Sequence, residues 1–127
     1  FKNKKPVSVF YQVWQKPLMT INGQHMISHW LTLCSGVNIF TDLPGLVPVV
    51  DTESVLLANP QVIVTGGYAG QDNNWRELWG RWPKLLAVAQ KNLYSVPAEI
   101  MDRQTPRAVI AARELCEKID RARQSYN

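Results

Sequence analysis

The sequence has no apolar run approaching the ~20 residues that a membrane-spanning helix needs, so a helical membrane span is excluded. It has no C-x-x-C pair, which removes zinc ribbons and thioredoxin-type redox motifs. It also lacks the one-sided charge of a nucleic-acid binder. Fourteen Lys and Arg stand against ten Asp and Glu, a net of +4, and beyond Lys2, Lys4, Lys5 and Lys16 the bases are mixed among acids. No internal repeat, low-complexity tract or linker-like stretch divides the chain. The first ten residues, FKNKKPVSVF, hold neither an apolar signal core nor a cleavage site, and the chain opens on Phe1. The expectation is that processing or excision has removed what came before.

What is present suits one folded core. In 127 residues, 46% are apolar and 19% charged, enough to bury a single domain and too little for two. Val7 to Trp14 carries β-branched and aromatic residues on both faces, the pattern of a strand covered on both sides. Met26, Ile27, Trp30, Leu33 and Cys34 then recur at helical spacing, and Ser35-Gly36 ends that helix. Val47 to Val50 reads as a short strand interrupted by Pro48. Asp51-Thr52 caps a two-turn helix that runs through Leu57 and stops at Asn59-Pro60. Gln61 to Thr65 is a buried strand that runs into Gly66-Gly67.

Farther on, Trp75, Trp79 and Trp82 are spaced four and three apart, which predicts a helix face packed into the core. Lys91 to Val96 reads as a last strand. Thr105-Pro106 is a cap followed by a first-turn proline, and Ala108, Ala112, Leu115, Cys116, Ile119 and Ala122 form one apolar stripe on the closing helix. Alternating strands and helices predict an α/β fold, with a mostly parallel sheet flanked by helices. Cys34 and Cys116 each sit on the inner side of a helix. From the residues alone they are either a disulfide or two buried thiols.

The usual marks of chemistry are missing. Gly66-Gly67-Tyr68-Ala69-Gly70 has consecutive backbone N–H groups but neither the Gly-Lys-Ser/Thr of a P-loop nor G-x-G-x-x-G spacing, so a nucleotide-binding enzyme is a weak alternative. His25 and His29 are four apart, yet no H-E-x-x-H or third ligand follows, and a solvated helix face is expected. No G-x-S-x-G surrounds any serine, and both cysteines lie on apolar stripes, so no covalent enzyme mechanism is supported. Glu99, Asp102 and Arg103 cluster before the closing helix, as ordinary helix-entrance ion pairing would place them. The functional surface is expected on loops at strand ends, with Trp14, Met19, the Gly66 loop and Arg103 as candidates.

Several blocks occur in this order in one family: Val9-Phe10-Tyr11-Gln12-Val13-Trp14 with Pro17-Leu18-Met19-Thr20, Leu33 to Phe40, Glu53 to Val64, and Thr105-Pro106-Arg107 with Leu115-Cys116. The sequence resembles the C-terminal lobe of the periplasmic substrate-binding proteins of ABC importers for vitamin B12, iron-siderophores and haem, most of all the cobalamin-binding members. The resemblance covers nearly the whole chain and is weakest from Ala69 to Arg81. It implies a Rossmann-like three-layer lobe, residues 1–127, one half of a two-lobe receptor whose other lobe and linking helix lie outside this sequence.

The resemblance implies function too. It implies a non-catalytic receptor in the periplasm that takes up cobalamin or a related corrinoid between lobes and hands it to a permease and its ATPase. A ferric siderophore or haem is the alternative cargo. No resident cofactor, metal, nucleic acid or membrane insertion is implied. Val13, Trp14, Met19, Leu46, Glu99 and Arg103 would line the ligand cleft, with Gly66 added as a ligand-binding candidate from its place at a strand end, Glu53 would dock on the permease, and Cys34 would be bonded to Cys116. The sequence departs from the family at Val13, Met19 and Leu46, which stand where aromatic rings are found. Ser35 replaces a glycine usual after the first cysteine, a change expected to be harmless.

Overall fold

The computed structural model describes residues 4–14, 17–66, 75–96, 100 and 106–126. Among the described residues nine elements follow one another: β1 (Val7–Gln12), α1 (Met26–Leu33), β2 (Gly36–Asn38), α2 (Thr52–Ala58), β3 (Val62–Thr65), α3 (Trp75–Trp79), α4 (Leu86–Ala89), β4 (Leu93–Ser95) and α5 (Pro106–Gln124). The four strands form one sheet in the order β2-β1-β3-β4, and every pair is parallel. Val9 pairs with Val62 and Gln12 with Thr65, so the two most apolar strands lie side by side at the centre.

Alternation along the central strands builds the three layers. Val7, Val9, Tyr11, Val62 and Val64 face one way and pack against Ile27 and Leu31 of α1 and Ala111, Leu115 and Ile119 of α5. Phe10 and Ile63 face the other way, against Val55 of α2, Trp75 and Trp79 of α3, and Ala87 of α4. Helices thus cover both faces, as a continuous apolar β1 requires. Trp75 and Trp79 are core residues as expected. Trp82 lies beyond α3 in a turn, half-buried, its ring 5.9 Å from that of Trp79.

Cys34 and Cys116 are joined in a disulfide with Cα atoms 4.9 Å apart, tying the end of α1 to the middle of α5 across 82 residues of chain. Arg123, two turns farther along α5, is buried at the same end of α1. Its guanidinium donates to the Cys34 carbonyl at 2.8 Å and to the Lys5 carbonyl at 2.7 Å, and it pairs with Asp120.

Several local expectations are corrected. β1 ends at Gln12, two residues before Trp14, and the last strand is only Leu93–Ser95. Val47 to Val50 forms no strand of the sheet. Pro48 removes a donor, and the segment makes only an isolated antiparallel bridge, Met19 to Val49. Two short elements, β2 and α4, have no counterpart in the sequence reading. His25 is not part of a solvated helix face. It caps α1, with Nδ1 accepting from the Ile27 N–H at 3.1 Å, whereas His29 is exposed.

Ser35 is not harmless: its φ of 60° lies in the left-handed region, where a side chain costs energy that glycine avoids. Asp51 caps α2 as expected, its carboxylate accepting from the Ser54 N–H at 2.8 Å, and Asn59 closes that helix with φ 48°. The Thr105 cap lies outside the described residues.

Candidate functional site

The strand order reverses between β1 and β3: the chain moves from β1 outward to β2, then returns to the other side of β1 for β3. In open α/β sheets the crevice at the carboxyl ends of such strands is where ligands bind. Gln12 ends β1 and Thr65 ends β3, and the Thr65 hydroxyl donates to the Gln12 carbonyl at 2.9 Å.

Beyond β1 the chain turns back on itself. Val13 N–H donates to the Met19 carbonyl at 2.9 Å and Met19 N–H to the Trp14 carbonyl at 3.0 Å. A second segment then lies alongside: Thr20 N–H reaches the Pro48 carbonyl at 3.0 Å, Val50 N–H the Leu18 carbonyl at 2.9 Å, and Asn22 N–H the Leu46 carbonyl at 3.1 Å. Buried polar side chains hold this ledge from below. Thr20 Oγ1 donates to the Tyr11 carbonyl at 2.7 Å, and Asn38 Nδ2 donates to the Ile21 carbonyl at 2.8 Å and Ser28 Oγ at 3.0 Å.

The ledge brings Val13, Trp14, Met19 and Leu46 together through its backbone. It adds one residue that sequence reasoning missed, Val49, which bridges to Met19. Trp14 is 46% exposed, Leu46 54% and Val49 62%, an apolar rim without a titratable group among them. The signal for Val49 was present in the Val47 to Val50 run, but Pro48 between apolar neighbours reads equally well as an edge strand.

Gly66 ends the described part of the chain after β3. It is buried, and a Cβ placed on it would come 2.1 Å from the Tyr11 hydroxyl. The glycine makes room for a phenol from β1. That phenol is buried without a hydrogen-bond partner among the described residues, and burial raises its pKa well above the ordinary tyrosine value. Glu99, Arg103 and the Gly67 to Gly70 loop lie outside the described residues. Glu53 is exposed in the first turn of α2, four positions after Val49. Burial lowers the pKa of His25 below the ordinary imidazole value. No group of three or more potential metal ligands occurs among the described residues, and no helix there is long and apolar enough to cross a membrane.

A vitamin B12-binding protein of Vibrio cholerae is 34% identical to this chain over 117 residues, which is 91% of the chain and 41% of the relative. The crystal structure of the periplasmic vitamin B12 binding protein BtuF of Vibrio cholerae superposes on 94% of this chain with a TM-score of 0.81 and 33% identity. The chain is similar to part of the vitamin B12-binding proteins. It spans 46% of the BtuF chain, so the similarity is to one part of such a protein. A possible iron-binding periplasmic solute-binding protein of Staphylococcus epidermidis shares the fold at a TM-score of 0.80 with 23% identity. No protein-family model matches the chain. The parallel four-stranded sheet flanked by helices matches the fold of a lobe of that periplasmic binding protein, as the resemblance implied, and the relatives are named as binding proteins.

Proposed function

We propose that this chain is the C-terminal lobe of a periplasmic receptor of an ABC importer, which takes up cobalamin or a related corrinoid against the ledge at the ends of β1 and β3. The observation that carries the reading is the exposed apolar rim of Trp14, Leu46 and Val49, held by backbone bonds at the point where the strand order reverses. A large, semi-rigid ligand gains affinity by burying such area, and preorganised main chain lowers the ordering cost of binding. A partner lobe would close the other side. Glu99 and Arg103 are the proposed polar anchors.

Exposed Glu53 is the proposed contact with the permease, where a lone charge sets register and steers approach. The disulfide suits an oxidising compartment such as the periplasm. The cobalamin is cargo in this reading, not a cofactor.

The test is calorimetric titration of the two-lobed protein carrying this chain with cyanocobalamin, a ferric siderophore and haemin. Tight, saturable cobalamin binding is the expected result. Heat from the siderophore or haemin alone would keep the importer role and replace the cargo, a change that aliphatic Val13, Met19 and Leu46 in place of aromatic rings would then explain. Heat from none of the three would sink the reading.

A further inference from the structure

Asparagine occurs eight times in the chain, and only Asn22 is followed by glycine. That pair is chemically labile wherever it is free to move. Glycine has no Cβ to crowd its amide, so the Gly23 nitrogen can lose its proton to base and attack Cγ of Asn22. The new N–C bond closes a cyclic imide, and the Cγ–Nδ2 bond breaks with loss of ammonia. Water then opens the ring at either carbonyl, leaving aspartate, or isoaspartate with the main chain rerouted through the side chain. Amide plus water becomes acid plus ammonia, and no oxidant or reductant enters.

In the fold each reacting group is held. The attacking Gly23 N–H donates to the Thr41 carbonyl at 2.9 Å. The carbonyl of the same peptide unit accepts from Ser28 Oγ at 2.6 Å and from the His25 N–H at 3.3 Å, so its plane is pinned at both ends. The leaving Nδ2 donates to the Leu43 carbonyl at 3.1 Å, and Oδ1 accepts from the Gln24 N–H at 3.0 Å. A carbonyl only accepts and an N–H only donates, so the two ends of the side-chain amide are distinguished. Asn22 is also buried. Ring closure needs a bare Gly23 nitrogen and a side-chain amide free to swing onto it, and both demand that several of these bonds open together.

Neither residue is easily exchanged. A Cβ on residue 23 would run into Thr41 Oγ1. An acid at residue 22 would set oxygen against the Leu43 carbonyl, where Nδ2 now donates. We propose that Asn22 is a deamidation site gated by the fold. It converts only when the stretch around residues 20–23 lifts from the ledge, and conversion then unfastens residues 43–46, which Asn22 holds through Nδ2 to Leu43 and its N–H to Leu46. This is a one-way modification by water, independent of the cargo assigned to the ledge.

The experiment incubates the two-lobed protein carrying this chain at mildly alkaline pH, folded and unfolded in urea, and maps aspartate and isoaspartate at each asparagine by mass spectrometry. In the unfolded chain Asn22 should convert faster than the chain's other asparagines. In the folded protein it should convert at least about a hundredfold more slowly, the scale of a local opening that breaks several bonds. Ser28→Ala removes one pin from the peptide plane and should speed folded-state conversion about tenfold. If that variant does not fold, urea below the unfolding transition replaces it, and the parent's rate should rise with urea. Asn22→Asp reproduces the aspartate product and should melt below the parent. Four outcomes overturn the proposal: a folded rate within about threefold of the unfolded one, meaning no gate; a folded rate that neither Ser28→Ala nor urea moves; another asparagine of this chain converting first when unfolded; or an Asn22→Asp melting temperature equal to the parent's.

Discussion

The guanidinium of Arg123 lies 2.8 Å from the carbonyl oxygen of Cys34, so α5 grips the end of α1 twice, once through this hydrogen bond and once through the Cys34–Cys116 disulfide. The first prediction is that the two grips fail by different mechanisms. Replacing both cysteines by alanine should cost about 4–5 kcal/mol in the chain-entropy picture, because an 82-residue loop is freed in the unfolded state. Arg123→Met should cost about 2–4 kcal/mol, chiefly through the Cys34 and Lys5 carbonyls left without their donor in the native state. Urea titration with and without reductant separates them: reductant should destabilise Arg123→Met further and leave the double-alanine variant unchanged.

Ser35→Gly should stabilise the chain by about 1 kcal/mol, since residue 35 holds a φ of 60° that glycine adopts without strain. A rise in the thermal midpoint checks it. An unchanged or lower midpoint would mean that a contact of the serine outweighs its backbone cost.

Gly66→Ala should destabilise by about 1–3 kcal/mol, because the new methyl group meets the Tyr11 hydroxyl. Tyr11→Phe alone should be neutral or mildly stabilising, as the hydroxyl it removes is buried and has no hydrogen-bond partner among the described residues. In combination the phenylalanine should recover much of the loss. A double-mutant cycle showing simple additivity would contradict the packing argument.

The folded protein holds the pKa of His25 below its unfolded value of 6.5, through burial. The unfolded chain therefore binds the proton more readily. His25 contributes stability that is present above about pH 6.5 and is lost as pH falls toward and through the lower folded pKa. His25→Asn retains a capping side chain and removes the titration. Melting temperatures at pH 7.5 and 5.5 should diverge less in this variant than in the parent.

Val49→Asp and Glu53→Arg should divide capture from delivery. The first places a charge on the apolar rim and should weaken cobalamin binding at least about tenfold with little change in stability, since Val49 is largely exposed. The second should leave binding within about twofold and abolish transport. Transport unaffected by Glu53→Arg would remove the docking role.

The elements legible in the sequence are those whose own residues demand them. β1 and β3 carry apolar side chains on both faces, α5 carries an unbroken apolar stripe, and Asp51 and Asn59 bracket α2. β2 was not legible, because Gly36-Val37-Asn38 has little strand propensity. It exists by pairing with Val7, Ser8 and Val9 of a neighbour that precedes it by some thirty residues. α4, four residues long with no side-chain cap, is likewise set by what surrounds it: Asn59 Oδ1 accepts from Leu86 N–H and the Pro60 carbonyl from Ala87 N–H.

For the candidate site, the turn after β1 was readable, but the neighbour that completes it was not. Met19 and Val49 are thirty residues apart, and no local pattern announces an antiparallel bridge between two loops. The role of Gly66 was hidden for the same reason: its constraint is the hydroxyl of Tyr11, on another strand. The orientation of the Gln12 amide depends on the indole N–H of Trp79, 67 positions away.

The bonds that join the turn after β1 to residues 46–50 run almost wholly between main-chain atoms. Every residue type except proline carries the same amide groups, so the shape of that surface is insensitive to which side chains it displays. Positions 13, 14, 19, 46 and 49 can therefore exchange aromatic for aliphatic groups while the frame beneath stays fixed. A lineage that kept this frame would be free to change what it carries by point substitution, with folding and selectivity evolving separately.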